Sequence, residues 1–269
     1  LQRSPLLFAN SFPKSGTHLL TQIMHGFSAI GPAVDCGLSA IVSFNGQTGT
    51  SRSEMEIVAD LQRLLPGDIA YGHVHALPGT IQILTGEHVA AFFIVRDPRD
   101  VVVSHVHYVT EMAEDHIHHK YFNQKLPDFE ARLNASIAGV TADDLRSAGI
   151  NETDGRQLAD IRARFQPYIP WLDYPQIKLI RFEDLVSDRK NRLQTILEHA
   201  VARGFELSVP TQTALDILEE QINPQKSPTF RSGKIGGWKS SFTAAHKQLF
   251  KDVSADLLQR LGYESGDDW

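Results

Sequence analysis

The chain has 269 residues and a mass of 30.0 kDa, a length that buries roughly three quarters of its unfolded surface and so needs neither a disulfide nor a metal to hold a core. With 42% hydrophobic and 22% charged residues, the composition excludes a disordered chain. Twenty-six basic against thirty-two acidic residues leave a net charge of −6, which argues against nucleic acid as a partner while allowing a local cationic pocket for a small anion.

Read from its amino end, Leu6-Leu7-Phe8-Ala9 is a short strand that ends in the turn Phe12-Pro13-Lys14-Ser15-Gly16. Leu19, Leu20, Ile23, Met24 and Phe27 then recur at helical spacing. A second strand reads over Ile69–Val74, and the continuous apolar run His88–Arg96 predicts a strand buried on both faces. Asp97 is placed to cap the next helix, with Pro98 at its first position, where a missing N–H costs nothing. The stretch of about 111–155 is polar and rich in His and Asp, an excursion from the core suited to shaping an acceptor pocket. Ile177–Phe182 makes a fourth strand, and Leu193, Ile196, Leu197, Ala200 and Val201 form a helical stripe. The closing helix carries Leu249, Val253, Leu257 and Leu261 on one side. Strands alternating with helices imply a single α/β domain spanning 1–269, with a parallel sheet covered on both faces. Ligands bind such sheets beyond the carboxyl ends of the strands.

Three segments have the chemistry of anion sites. In the first turn, Gly16 lets backbone N–H groups converge ahead of a helix N-terminus, while Lys14, Ser15 and Thr17 add a charge and two hydroxyls. No Gly-Lys-[Ser/Thr] follows a four-residue spacer, which disfavours a nucleoside triphosphate kinase. In the second, Arg96 leaves the buried strand at its carboxyl end, and Ser104 lies two helical turns beyond Asp97 on the same face. Arg99 and Asp100 read as helix-surface or capping residues. The third, Thr229–Lys239, combines glycines and basic residues around aromatics in a cationic flap of about 225–238.

Together these segments resemble the PAPS-dependent sulfotransferase family, PAPS being 3′-phosphoadenosine 5′-phosphosulfate. Pro13–Thr17 is similar to the family's 5′-phosphosulfate loop, Arg96–Ser104 to its 3′-phosphate motif, Arg181–Leu185 to the segment after a core strand, and Arg231–Thr243 to its Gly-rich signature. The resemblance implies a three-layer sandwich with a central, mainly parallel sheet, like that of P-loop NTPases. It also implies direct in-line transfer of a sulfuryl group to an acceptor, releasing adenosine 3′,5′-bisphosphate without a metal. By that likeness Lys14, Ser15, Gly16, Thr17 and His18 line the 5′ side, and Arg96, Ser104, Phe182, Arg231, Ser232 and Gly233 hold the 3′-phosphate and adenine. Phe182 stands where many members have Tyr, Ser232 where Lys is usual, and Gly237 where Asp is usual.

The segment Gly72–Pro78 is similar to the family's His-containing acceptor-side motif, in which His73 takes the general-base position, with Lys14 as its catalytic partner in charge stabilisation. His75 shares that strand face if the strand continues, so position alone does not separate the two histidines. His116, His118 and His119, with His105 and His107 upstream, invite a metal reading, but a polar loop or pocket wall is the simpler one. The single cysteine, Cys36, points to a reducing compartment and hence the cytoplasm. No apolar run reaches the ~18 residues of a membrane span. The expected partner is a hydroxyl-bearing small molecule or a carrier-tethered acceptor. The rival readings are a kinase on a similar sheet and a module that binds PAPS without catalysis.

Overall fold

The computed structural model describes residues 4–45, 48–150, 157–226 and 233–269. In chain order, the amino-terminal part contains β1 (Leu6–Ser11), α1 (Thr17–Ile30), β2 (Val34–Asp35), β3 (Ile41–Val42), α2 (Glu54–Leu61), β4 (Asp68–His73), α3 (Pro78–Leu84) and β5 (Val89–Val95). The middle is helical: α4 (Pro98–His107), a π turn (Tyr108–Met112), α5 (His119–Gln124), α6 (Phe129–Ala138), α7 (Ala142–Ser147) and α8 (Ile161–Phe165). There follow β6 (Ile177–Arg181), α9 (Phe182–Ser187), α10 (Arg189–Ala202), α11 (Thr211–Glu220), α12 (Trp238–Ser241), α13 (Ala244–Ser254) and α14 (Leu257–Arg260).

These elements form two compact units. One holds the sheet and is drawn from residues up to Ser43, Ser51–Arg96 and Tyr168–Gly233. Its strands run β2-β4-β1-β5-β6, with β3 also against β4, and each of these pairings is parallel. β1 and β5 are buried at every position, as a central strand pair sheathed on both faces requires. Their side chains alternate between two cores. Leu7, Ala9, Ala90, Phe92 and Ile94 pack with Leu20, Ile23, Met24 and Phe27 of α1, Leu193, Ile196 and Leu197 of α10, and Ala214 and Leu218 of α11. On the other side, Phe93 stacks on Tyr168 at 6.1 Å and Phe12 meets the same ring edge-on at 5.2 Å.

The second unit comprises Phe44–Thr50, Asp97–Pro167 and Lys234–Trp269. The polar stretch of about 111–155 contributes a core of its own here, burying Tyr121, Phe122, Leu133, Ile137 and Leu145. The remaining differences from the sequence reading are local. Phe182 begins α9 rather than ending the fourth strand, and Val201 is exposed at the edge of the α10 stripe. The closing helix breaks at Ala255, whose φ of 46° is left-handed, and the buried face of α13 is His246, Phe250 and Ser254 instead of Leu249 and Val253. The histidine is admitted because its Nδ1 bonds the Thr243 cap, which satisfies a polar edge inside the core.

Candidate active site

The turn after β1 is built by Pro13 and Lys14. Ser15 N–H donates to the Phe12 carbonyl at 3.1 Å, and Lys14 at the third position has φ 69°. Pro at the second position and positive φ at the third define a type II turn. A lysine in that conformation is strained by about 1–3 kcal/mol, a cost typical of residues held for function. Gly16 follows at φ 102°; a Cβ there would sit 2.7 Å from the Phe182 ring, so close packing as well as backbone angle demands glycine. The Ser15 hydroxyl is fully buried and has no hydrogen-bond partner among the described residues. An orphaned buried hydroxyl ahead of a helix N-terminus suits an anionic oxygen.

Lys14 is pulled down to about 8, first by burial and then by the Arg96 charge nearby. Two cations brought close to one another at this turn suit an anionic ligand, whose charge would offset their repulsion. Arg96 itself lies with its guanidinium carbon 4.6 Å from the centre of the Phe182 ring, so Phe182 supports the arginine as well as closing over Gly16.

His73 ends β4, beside the end of β1. Its Nδ1 lies 2.9 Å from the Ser11 carbonyl oxygen and 3.0 Å from Ser11 Oγ. A carbonyl only accepts, so Nδ1 carries the proton and Nε2 keeps its lone pair. Ser11 Oγ is in turn 2.8 Å from Thr17 Oγ1, which ties the imidazole to the first residue of α1. Burial lowers the His73 pKa below its ordinary value, the Ser11 bond opposes this, and the charges of His18 and Lys14 lower it further. His18 is also lowered, by desolvation and then by Lys14.

His75 departs from this arrangement. Its ring meets Tyr168 edge-on at 4.8 Å, and its backbone N–H donates to Ser43 Oγ at 2.9 Å. Between the two histidines the backbone is pinned: Val74 N–H donates to Asn10 Oδ1 at 2.8 Å, and the Val74 carbonyl accepts from Asn10 Nδ2 at 2.9 Å and Trp171 Nε1 at 2.8 Å. A cleft of about 390 Å³ beside α1 is lined by His18, Thr21, Gln22, Tyr71 and Lys226, among others.

In the helical unit, α4 places Ser104 half-buried. Asp97 caps the helix by accepting from Arg99 N–H at 2.9 Å. Arg99 and Asp100 are not surface residues. Arg99 is 3% exposed and pairs with Asp97 and Glu264, its guanidinium carbon 4.0 Å from the Trp238 ring centre and 4.5 Å from that of Trp269. Asp100 is 2% exposed and accepts from the backbone N–H groups of Gly236 (2.8 Å) and Trp238 (2.9 Å). Its carboxylate thus holds the carboxyl-terminal part of the Gly-rich segment. No sequence spacing announces that pairing, because its members are 136 and 138 residues apart. Gly233 has φ 59°; Arg231 and Ser232, and with them much of the 225–238 flap, lie outside the described residues.

In comparisons with known proteins, no curated protein matches the chain. Among solved structures, mouse sulfotransferase SULT7A1 complexed with PAP is 17% identical with a TM-score of 0.55, covering 98% of this chain and 87% of that one. Retinol dehydratase in a complex with retinol and PAP is 16% identical with a TM-score of 0.57, covering 96% and 82%. The same enzyme with androsterone and inactive cofactor PAP gives 16% and 0.57, covering 99% and 83%. These likenesses show the fold. A family model described as the sulfotransferase domain matches residues 87–262, from before β5 to beyond α14. The chain belongs to the sulfotransferase domain family.

Proposed function

We propose that this protein moves a sulfuryl group from PAPS to a hydroxyl acceptor by in-line transfer, with His73 as general base. One observation carries this reading: the Ser11 carbonyl fixes the His73 proton on Nδ1, so an unprotonated Nε2 is available beside the Lys14 turn. PAPS supplies the sulfuryl group and departs as adenosine 3′,5′-bisphosphate. Within the chain, His73 Nε2 takes the acceptor's hydroxyl proton as the new S–O bond forms. Lys14, the Ser15 and Thr17 hydroxyls and the backbone at Gly16 stabilise charge gathering on the leaving phosphate. His18 completes the 5′ side. By the family likeness, Arg96, Ser104, Phe182 and Gly233, together with Arg231 and Ser232, take the 3′-phosphate and adenine.

The cleft bordered by His18 and Tyr71 is where the acceptor enters, Tyr71 being two residues before His73 on β4. A lipophilic small alcohol is the favoured class, since related structures hold retinol and androsterone; a carrier-tethered hydroxyl is the other candidate. The lone cysteine, Cys36, has no disulfide partner in the sequence, which supports a cytoplasmic setting. Among the described residues no helix is long and apolar enough to cross a membrane.

Transfer of labelled sulfate from PAPS to a panel of hydroxyl acceptors tests the activity directly. Adenosine 3′,5′-bisphosphate at a hundredfold excess over its dissociation constant is expected to stabilise the fold by about 2.7 kcal/mol. Equal stabilisation by ATP, with no loss on removing the 3′-phosphate, would show the donor assignment to be wrong.

Affinity for the bisphosphate should also depend on alkaline pH. Lys14 is charged below about 8 and neutral above it, so binding weakens as pH rises through that value. Lys14→Arg keeps its charge, and calorimetric titration of that variant should show the weakening removed. An unchanged alkaline limb in Lys14→Arg would assign it to another group.

A further inference from the structure

The helical unit contains a second group of chemically capable side chains that sulfuryl transfer does not use. His105 lies in the last turn of α4, and His116 and His118 lie in the turn that follows the π turn. One ligand atom from each falls within 4.8 Å of the others. His105 and His118 are 8% and 4% exposed, and His116 is half-buried. We propose that His105, His116 and His118 form a binding site for a divalent transition-metal ion of the zinc class.

The hydrogen bonds around His105 support ligation. Ser136 Oγ donates its proton to the Val102 carbonyl at 3.1 Å, so toward His105 Nδ1, 3.0 Å away, it can only accept. His105 therefore carries its proton on Nδ1 and presents Nε2 as a lone pair, with an outer partner that fixes tautomer and ring orientation as in metal-ligating histidines. His116 Nδ1 accepts the His118 amide at 3.2 Å, and this long bond holds the turn in place before loading. The rings form one cluster, His116 to His118 at 5.2 Å and His105 to His116 at 6.1 Å between centroids, walled by Phe122.

Tetrahedral ligation at 2.0–2.1 Å needs nitrogens about 3.3 Å apart, so loading draws the three together through side-chain rotations. Three imidazoles leave a fourth position for water, and imidazole donors suit zinc, copper and nickel rather than calcium or magnesium. The π turn at Tyr108–Met112 stands between the first ligand and the other two, and such turns recur where a helix must re-aim functional side chains. His119 and His107 are differently employed: His119 Nδ1 donates to the Val109 carbonyl at 2.8 Å, and His107 pairs with Glu111 at 2.7 Å.

Titration of the metal-free 269-residue chain with Co²⁺ reads this site without any sulfate transfer. One equivalent should bind with visible ligand-field absorption, be displaced by Zn²⁺, and raise the melting temperature. His118→Ala should weaken binding by more than about tenfold and Ser136→Ala by about 10–100-fold, whereas His107→Ala should bind as the parent does. If His118→Ala does not fold, His116→Ala takes its place. No stoichiometric binding in the parent, or parental affinity in the His118 or His116 variant, would overturn the site.

Discussion

His73→Ala is expected to lower turnover by about 10² to 10⁴-fold, the usual contribution of a general base, while leaving affinity for adenosine 3′,5′-bisphosphate near the parental value. The first half follows from Nε2, the nitrogen left free by the Ser11 bond. The second follows because the groups proposed to face the anion, Lys14 and Ser15, sit on the turn ahead of α1 and not on β4. Added imidazole should restore part of the lost rate. His75→Ala should cost far less in turnover, since its ring rests against Tyr168, and any effect should appear in the acceptor's KM. Single-turnover rates with a working acceptor measure both. Near-normal turnover in His73→Ala beside a collapsed His75→Ala would reverse the assignment.

Arg99→Ala is expected to destabilise the protein by about 3–5 kcal/mol, the cost of removing one partner of a buried ion pair. The guanidinium donates from Nε (2.9 Å) and Nη2 (2.8 Å) to the two oxygens of Asp97, and from Nη1 to Glu264 at 2.6 Å, between two tryptophan rings. Truncation removes the guanidinium from both carboxylates, while the backbone N–H of residue 99 still caps against Asp97. Burial already raises the Asp97 pKa, and the Arg99 bonds are what hold it back. Without them its folded value rises further above the unfolded one, a penalty that grows as pH climbs above the ordinary aspartate range and shrinks in acid. Urea melts should therefore show a smaller deficit near pH 5 than near pH 7. Arg99→Lys should not restore the parent, because one ammonium cannot reproduce the two-oxygen fork. A deficit below about 1 kcal/mol at neutral pH would mean that the pair is replaceable.

Strands β1, β4, β5 and β6 and helices α1, α4 and α10 are legible in the sequence because each carries a strong local signal: an apolar run, a Pro after an N-cap Asp, or a repeated apolar stripe. The Lys14 turn is legible for the same reason, as Pro and Gly punctuate it. The roles of Arg99 and Asp100 are not. Their charge reads as surface until distant partners are known, here Glu264, Gly236 and Trp238. The α13 stripe misleads because the break at Ala255 turns the chain out of register, so Leu257 does not extend the face of Leu249 and Val253. Nor does spacing separate His73 from His75. The end of β4 at His73 does, through pairing that only the neighbouring strand reveals.

The carboxamide of Asn10 exchanges two bonds with the backbone of Val74, one through its oxygen and one through its nitrogen. A side chain here acts as a surrogate peptide unit and adds a rung to the sheet after the strand itself has ended. The chain can then turn away from β1 at Val74 without orphaning buried amides, and His73 is left on the last firmly held step. Replacement by Asp keeps the shape but sets an oxygen against the Val74 carbonyl; Leu keeps the bulk and deletes the rung; Gln displaces the amide by one methylene. Position 10 should thus tolerate almost no exchange despite touching no reacting atom, and its variants should fail through the placement of a neighbour's backbone.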